Sequence, residues 1–93
     1  MESYRSLVEI EQILRNEGTK RAYEEINTLL KFQPNNAEAW YMLGGILRRE
    51  EQWGEAINAY NRAKFLNPEG PAAYAVDAIY DIIHFVNKEL MNP

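Results

Sequence analysis

The sequence predicts an all-α fold of five helices, arranged as about two and a half helix–turn–helix units. Apolar residues recur at helical spacing along the chain, and part of the pattern returns after 34 residues. Breaks that contain Gly, Pro or Asn separate the apolar segments. The predicted helices cover residues 3–16, 19–32, 36–50, 53–66 and 71–91.

The first two helices are predicted from the recurrence. After a shift of 34 residues five identities fall into register, and the pairs are Arg15 with Arg49, Glu17 with Glu51, Ala22 with Ala56, Asn27 with Asn61 and Pro34 with Pro68. Residues 3–36 are therefore interpreted as a first, degenerate unit, because they lack the Trp and the Leu-Gly pair of the next unit.

The third and fourth helices show the clearest periodicity. Their apolar or small positions at helical spacing are Ala39, Trp40, Leu43, Gly44 and Leu47, and then Ala56, Ile57, Tyr60, Ala63 and Leu66. We expect Gly44 and Ala56 where the two helices cross, since small residues let helix axes approach to about 8–10 Å. Asn67-Pro68 ends the fourth helix, because Pro lacks a backbone donor and restricts the residue before it.

The fifth helix carries a polar stripe. Asp77, Asp81, His84 and Lys88 occupy the positions on which the second helix of a third unit would pack. Stacked repeats need a terminal element with a polar outer face to remain soluble. We therefore expect residues 71–91 to be a capping helix, which Pro71 in the first turn would suit.

The segment that carries the most information closely resembles a tetratricopeptide repeat. Its matching residues are Trp40, Leu43, Gly44, Leu47, Ala56, Tyr60, Ala63 and Pro68. The resemblance implies a right-handed superhelical stack, a single domain over residues 1–93, repeat one at 3–36, repeat two at 37–70 and the capping helix at 71–91. The ending HFVNKELMNP also resembles the tails of short stand-alone bacterial repeat proteins, so we expect a complete small bacterial protein.

Composition narrows the class of protein. With a net charge of −4, the chain lacks the basic surface that nucleic-acid binding requires, so we do not expect it to bind nucleic acid. Cysteine is absent, which favours a reducing compartment. The N-terminal residues include acidic side chains and no continuous apolar core, so neither a secretory signal nor a membrane span is predicted there. The expected location is the cytoplasm.

The resemblance also implies where a ligand would bind, since the first helix of each pair lines the concave side of such stacks. The groove positions of the family fall on Tyr4, Leu7, Val8, Glu11, Leu14, Arg15, Glu38, Tyr41, Met42, Gly45, Arg48, Arg49, Ala72, Ala75, Val76, Ile79, Ile82 and Ile83. Those expected to contact a partner are Arg15, Tyr41, Met42, Gly45, Arg48, Arg49, Val76, Ile79 and Ile83. The predicted groove is apolar with a basic edge.

The basic edge suggests what the partner carries. Arg15 and Arg49 occupy equivalent positions and Arg48 lies beside them, so a peptide with acidic residues and apolar anchors would fit. An alternative is that these arginines pair with Glu11, Glu50 or Glu51 on their own helices. The family site for the C-terminal carboxylate of heat-shock chaperones is disfavoured, because its basic and amide positions hold Leu7, Glu11, Met42, Ala72 and Val76 here.

An apolar seam on the fifth helix leaves three alternatives open. Val76, Ile79, Ile83, Val86 and Leu90 are spaced 3, 4, 3 and 4 residues apart, as in helices that pair. We expect Tyr74, Ala78 and Phe85 to pack on the fourth helix and leave this seam free. A partner helix would then bind it, or a second copy would pair with it in a two-fold dimer, or residues 84–91 would bend back over it.

Little in the chain predicts catalysis. His84 and Asp81 could touch on a helix surface, but a solvated capping stripe explains both. Gly44-Gly45 lies inside a helix and does not form a phosphate-binding loop. The sequence thus predicts a non-catalytic protein-interaction module with no metal or cofactor. The competing interpretation is a self-assembling structural protein that homodimerises through its C-terminal helix.

Overall fold

Five α-helices follow one another in the computed structural model, which describes the backbone of residues 3–91 and the side chains of residues 3–85. They are α1 (Leu7–Glu17), α2 (Thr19–Phe32), α3 (Ala37–Arg49), α4 (Trp53–Leu66) and α5 (Ala72–Met91). No strand is present in residues 3–91, so the all-α prediction is confirmed. Each helix packs chiefly on its neighbours in sequence, which produces an open stack measuring 58 × 30 × 17 Å.

The start of α1 differs from the prediction, because Ser6 caps the helix. The N–H of Glu9 donates to Ser6 Oγ at 3.2 Å, and the N–H of Ser6 donates to Glu9 Oε1 at 3.0 Å. Ser6 has an extended backbone (φ −71°, ψ 163°), so the helix begins at Leu7 rather than at residue 3. The Ser6 N–H holds the pKa of the Glu9 carboxyl below its usual value.

The turns between paired helices are short and specific. Gly18 alone separates α1 from α2, with φ at 97°, a left-handed conformation that glycine adopts readily. Between α3 and α4 the N–H of Gln52 donates to the Leu47 carbonyl at 2.9 Å, and the N–H of Glu51 donates to the Arg48 carbonyl at 2.9 Å. These bonds form a Schellman motif, in which Glu51 takes the left-handed position with φ at 58°.

One continuous apolar core runs along the stack. Its largest fully buried side chains are Ile10, Ile26, Leu29, Ile46 and Ile79. They come from α1, α2, α3 and α5, so the helices share this core. The helix α3 is anchored at its start, where Asn36 Oδ1 accepts from the Ala39 N–H and the Trp40 indole N–H donates to the Pro34 carbonyl at 2.8 Å.

The orientation of α5 is opposite to the prediction. Val76 and Ile79 are buried, with Ile79 at 0% exposure, whereas Tyr74 is 77% exposed and Phe85 is also exposed. Because α4 is the main neighbour of α5, only one face of α5 can be covered, and that face carries the more compact aliphatic side chains. The expectation of a free Val76–Ile79 seam was therefore wrong.

The remaining seam residues have different positions. Ile83 is half-buried and packs against the core, so it continues the covered face. Val86 and Leu90 belong to α5, but their side chains lie outside the described residues.

Candidate partner-binding groove

A groove with a volume of about 790 Å³ crosses the concave side of the stack. It is lined by Leu7, Val8, Glu11 and Leu14 of α1, by Ala37, Glu38, Tyr41, Met42, Gly45, Ile46, Arg48 and Arg49 of α3, by Trp53, Tyr60 and Ala63 of α4, by Asn67, Gly70 and Pro71 of the following turn, and by Ala72 and Ile82 of α5. The first helices of the successive units therefore share one surface, as the sequence predicts.

The helix α3 contributes most of this surface because its residues divide between two faces. Tyr41, Gly45 and Arg48 follow one another at intervals of four and three residues, so they lie along one side of the helix. Leu43 and Leu47 lie on the other side and are buried in the core. The periodicity that folds α3 against its neighbours thus also presents its groove residues.

The floor of the groove includes a side chain from α4. The Tyr60 ring passes beneath α3 at Gly44 and reaches Gly45, where its hydroxyl lies 3.6 Å from the position that a Cβ would take. The ring of Tyr41 packs against it at a tilt, with 5.3 Å between centroids. Two adjacent glycines on α3 therefore give this buried tyrosine a route to the groove.

The environment of Tyr60 keeps its hydroxyl protonated. Burial raises the pKa of Tyr60 above its usual value, and the neighbouring Tyr41 acts in the same direction. The guanidinium of Arg48 opposes these effects but does not reverse them. At neutral pH the Tyr60 hydroxyl is consequently a neutral group that can donate a hydrogen bond.

Charges are distributed unevenly along the groove. Arg15 pairs with Glu11 at 2.7 Å, as the alternative interpretation of this arginine expected. In contrast, no carboxylate among the described side chains lies within 4.0 Å of Arg48 or Arg49. The adjacent Glu50 instead accepts a hydrogen bond from the Thr19 hydroxyl. The basic edge is therefore formed by Arg48 and Arg49, without Arg15.

The nine expected contact residues fall into two groups. Five of them line the groove, namely Tyr41, Met42, Gly45, Arg48 and Arg49. The other four do not line it: Arg15 is held by Glu11, Val76 and Ile79 are in the core, and Ile83 packs against that core. Binding of a partner by any of the nine remains a prediction.

Sequence reasoning missed Tyr60 and Trp53 as groove residues. Both lie on α4, the second helix of its unit, whereas the repeat pattern assigns the groove to first-helix positions. The signal was available in Gly44-Gly45, because two glycines side by side on a helix face leave room for a ring from the packed helix.

Other kinds of site find no support in the described part of the chain. Within it, no group of three or more His, Cys, Asp or Glu side chains could hold a metal ion. Asp81 and His84 are exposed on α5. None of the helices, over the residues that can be described, combines the length and apolar character needed to cross a membrane.

Comparison with known proteins agrees with this architecture. The tetratricopeptide repeat family model matches residues 37–69. Superkiller complex protein 3 of Mus musculus is 32% identical over 77 residues, which is 82% of this chain and 5% of that protein. The Homo sapiens protein of the same name is 30% identical over 77 residues. The chain spans about 5% of the length of these relatives. Bacterial origin and completeness stay predictions.

Proposed function

We propose that this chain is a non-catalytic interaction module of the tetratricopeptide repeat type, because residues 37–69 match the model of that family, and that its concave groove binds a partner peptide or helix. Proteins of this family generally serve as protein-interaction modules. Repeat stacks use their concave surfaces for extended ligands. The name Superkiller complex protein 3 describes a protein of a complex, which is consistent with such a role.

The observation that carries the proposal is the groove. Its volume of about 790 Å³ lies in the range of about 300–1,000 Å³ that is usual for ligand sites. Leu7, Val8 and Met42 supply apolar contacts along it, and Val8 is 66% exposed. Contiguous exposed apolar surface of this kind typically marks an interaction site.

The charges of the groove favour a partner with acidic residues. Arg48 and Arg49 have guanidinium groups that no described carboxylate neutralises. Arginine is well suited to bind carboxylates, because its planar fork can donate two parallel hydrogen bonds. A peptide that combines apolar anchors with Asp or Glu would therefore match both properties of the surface.

The proposal is tested by selecting 12-residue peptides from a random displayed library against the wild-type protein and measuring their Kd as free peptides. Val8→Asp places a charge inside the groove and should weaken binding about tenfold or more. Phe65→Asp is the matched control, because Phe65 is 74% exposed on α4 and does not line the groove. Equal loss in both variants, or failure to select any peptide, would contradict groove binding.

Homodimerisation through the C-terminal helix is the competing account. The burial of Val76 and Ile79 removes two of its five proposed contact residues. Exposed Tyr74 and Phe85 still leave apolar surface on α5. Light scattering over a wide concentration range distinguishes the two accounts, since a mass near twice 10.9 kDa at micromolar concentration would favour the dimer.

We place the module in the cytoplasm, and the cysteine content supports this part of the proposal. The chain contains no cysteine, as is common where disulfides do not form. A tagged copy of the protein expressed in its own cells, followed by fractionation, would test the location.

A further inference from the structure

We propose that the groove contains a specific subsite, in which the Tyr60 hydroxyl and the Arg48 guanidinium together bind an aspartate or glutamate side chain of the partner, in the gap left by Gly45. This inference rests on the proposed peptide binding and names the chemistry of one contact within it. It assigns a role in recognition to a residue of α4, the second helix of its unit, in a groove lined mainly by the first helices.

The Tyr60 hydroxyl is available to a ligand although the residue is only 3% exposed. No described group forms a hydrogen bond with it. In the described residues, every side-chain N or O atom that is shielded from solvent has a hydrogen-bond partner. The Tyr60 hydroxyl has none, so its oxygen is not shielded and is open to the groove. A buried ring therefore holds one unused polar group at the groove floor, in a fixed position.

The gap at Gly45 gives a carboxylate access to this hydroxyl. A Cβ at Gly45 would lie 3.6 Å from the Tyr60 oxygen, which is ordinary van der Waals contact. In the wild-type protein that volume is empty of side chain. Because no side chain stands there, an oxygen of the partner can approach past Gly45 and accept a hydrogen bond of about 2.5–2.7 Å from the Tyr60 hydroxyl.

The second contact comes from Arg48, which lies three residues after Gly45 on the same side of α3 and lines the groove together with Tyr60. Arg5, Arg15 and Arg21 all form ion pairs within the described residues, whereas Arg48 forms none there. Arg48 therefore keeps its donors for a ligand. Burial raises the pKa of Tyr60, so its hydroxyl remains a donor at neutral pH.

Charge elsewhere in the groove fixes where the acidic residue lies. Glu38 lines the opposite end of α3, about 15 Å from Arg48 along the helix axis. Glu11 also lines the groove, but Arg15 neutralises it. An acidic side chain is thus repelled at the start of α3 and attracted at its end.

The subsite favours a side-chain carboxylate over a chain terminus. The groove continues to Leu7 and Val8 on one side of α3 and to Ile82 on the other. A peptide that uses the whole groove therefore passes the Tyr60–Arg48 subsite in mid-chain. Its terminal carboxylate would lie beyond the groove.

The test is a double-mutant cycle with the tightest 12-residue peptide selected by the wild-type protein. The protein change is Tyr60→Phe, which removes only the hydroxyl, and the peptide change replaces each Asp or Glu in turn by its amide. Each change alone should raise Kd about tenfold, and the double change should cost little more than either one. Tyr23→Phe on α2 is the matched control, because Tyr23 does not line the groove.

Gly45→Ala gives a second, independent test. Its methyl group fits without a clash and blocks the approach to the hydroxyl, so Kd should rise while the folded state is retained. Urea denaturation of each variant confirms that the fold is intact.

The two proposals fail in different ways. If the peptide binds tightly and its Kd does not change with Tyr60→Phe, or with any acid-to-amide replacement, the subsite proposal is wrong. The proposed binding of peptides in the groove would still hold. The subsite would also be overturned if amidation of the peptide's C-terminus abolished binding while the replacements of its Asp and Glu side chains had no effect. The bound anion would then be the terminal carboxylate of the peptide. If the wild-type protein selects no peptide, the proposed function fails and the subsite with it.

Discussion

The ring of Tyr60 lies so close to Gly44 that a Cβ on Gly44 would stand 2.6 Å from its Cδ1 atom and 2.7 Å from Cε1. Real Cβ atoms do not approach ring carbons to that distance. The tyrosine ring and the absent side chain therefore set the spacing between α3 and α4 together. The same ring then continues to Gly45, where the contact is relaxed and the groove opens.

Substitution of the two neighbouring glycines should have opposite effects on stability. Gly44→Ala should lower the free energy of unfolding by about 1–3 kcal/mol, because the buried Tyr60 ring must move. Gly45→Ala should raise it by up to about 1 kcal/mol, since Ala is the better helix former and its methyl group fits. Urea denaturation measures both, and equal effects would show that the ring does not fix the helix spacing.

The two faces of α5 should differ sharply in their contribution to stability. Ile79→Ala should lower the free energy of unfolding by about 2–5 kcal/mol, because it leaves a cavity in the core. Tyr74→Ala, on the exposed face, should change it by less than about 0.5 kcal/mol. Thermal and urea denaturation provide the comparison. A larger effect at Tyr74 would restore the predicted orientation of this helix.

The left-handed backbone of Glu51 should make this position tolerant of glycine. A non-glycine residue in that conformation lowers the stability of the folded state by roughly 1–2 kcal/mol. Glycine avoids this cost, but it makes the unfolded chain more flexible, which lowers the free energy of unfolding by about 0.4–1 kcal/mol. Glu51→Gly should therefore raise the free energy of unfolding by up to about 1.5 kcal/mol. Gln52→Gly is the control, because Gln52 has φ at −86°, forms no side-chain cap hydrogen bond and should gain nothing. Destabilisation by Glu51→Gly would mean that its side chain contributes a contact.

Alkaline pH should weaken the fold partly through Tyr60. In the unfolded chain a tyrosine loses its proton near pH 10, whereas burial raises the pKa of Tyr60 in the folded state. The Tyr60 contribution to stability is therefore complete below pH 10 and is lost as pH rises from there through the folded-state pKa. Unfolding free energies measured at pH 9, 10 and 11 should fall less steeply for Tyr60→Phe than for the wild-type protein. Parallel curves would refute this.

The helices could be predicted from sequence because their determinants are local. Predicted and observed bounds coincide for α2 and α4 and differ by about one residue for α3. At α1 the apolar pattern extends before Ser6, but the Ser6 side chain caps the N-terminus, so the helix starts only after it. The spacing of apolar residues alone does not reveal such a cap. Local patterns thus fix that a helix exists more securely than where it starts.

The orientation of α5 could not be predicted from its own residues. Both of its faces carry apolar side chains, so periodicity leaves two ways to pack it. The choice depends on how Val76 and Ile79 fit against α4 compared with the bulkier Tyr74 and Phe85, which is a property of two helices in contact. A pattern within one helix does not contain that information.

The groove, too, could be predicted only in part from the sequence. Tyr41, Met42 and Arg48 follow from the face of α3 that the repeat pattern assigns to the concave side. Tyr60 enters through helix packing, and the difference between Arg15 and Arg48 depends on which arginine finds a carboxylate. Neither the packing nor the ion pairing is encoded by position within the repeat.

Packing between sequence neighbours has a mechanical consequence for the groove. Its two outer walls, α1 and α5, are connected chiefly through α2, α3 and α4, so the interfaces between them act in series. Small rotations at successive helix interfaces add up, and together they change the distance between α1 and α5. The groove can thus widen or narrow while every individual interface remains packed. The width offered to a ligand is then a property of the whole stack, and a substitution in α2 can alter it without touching the groove.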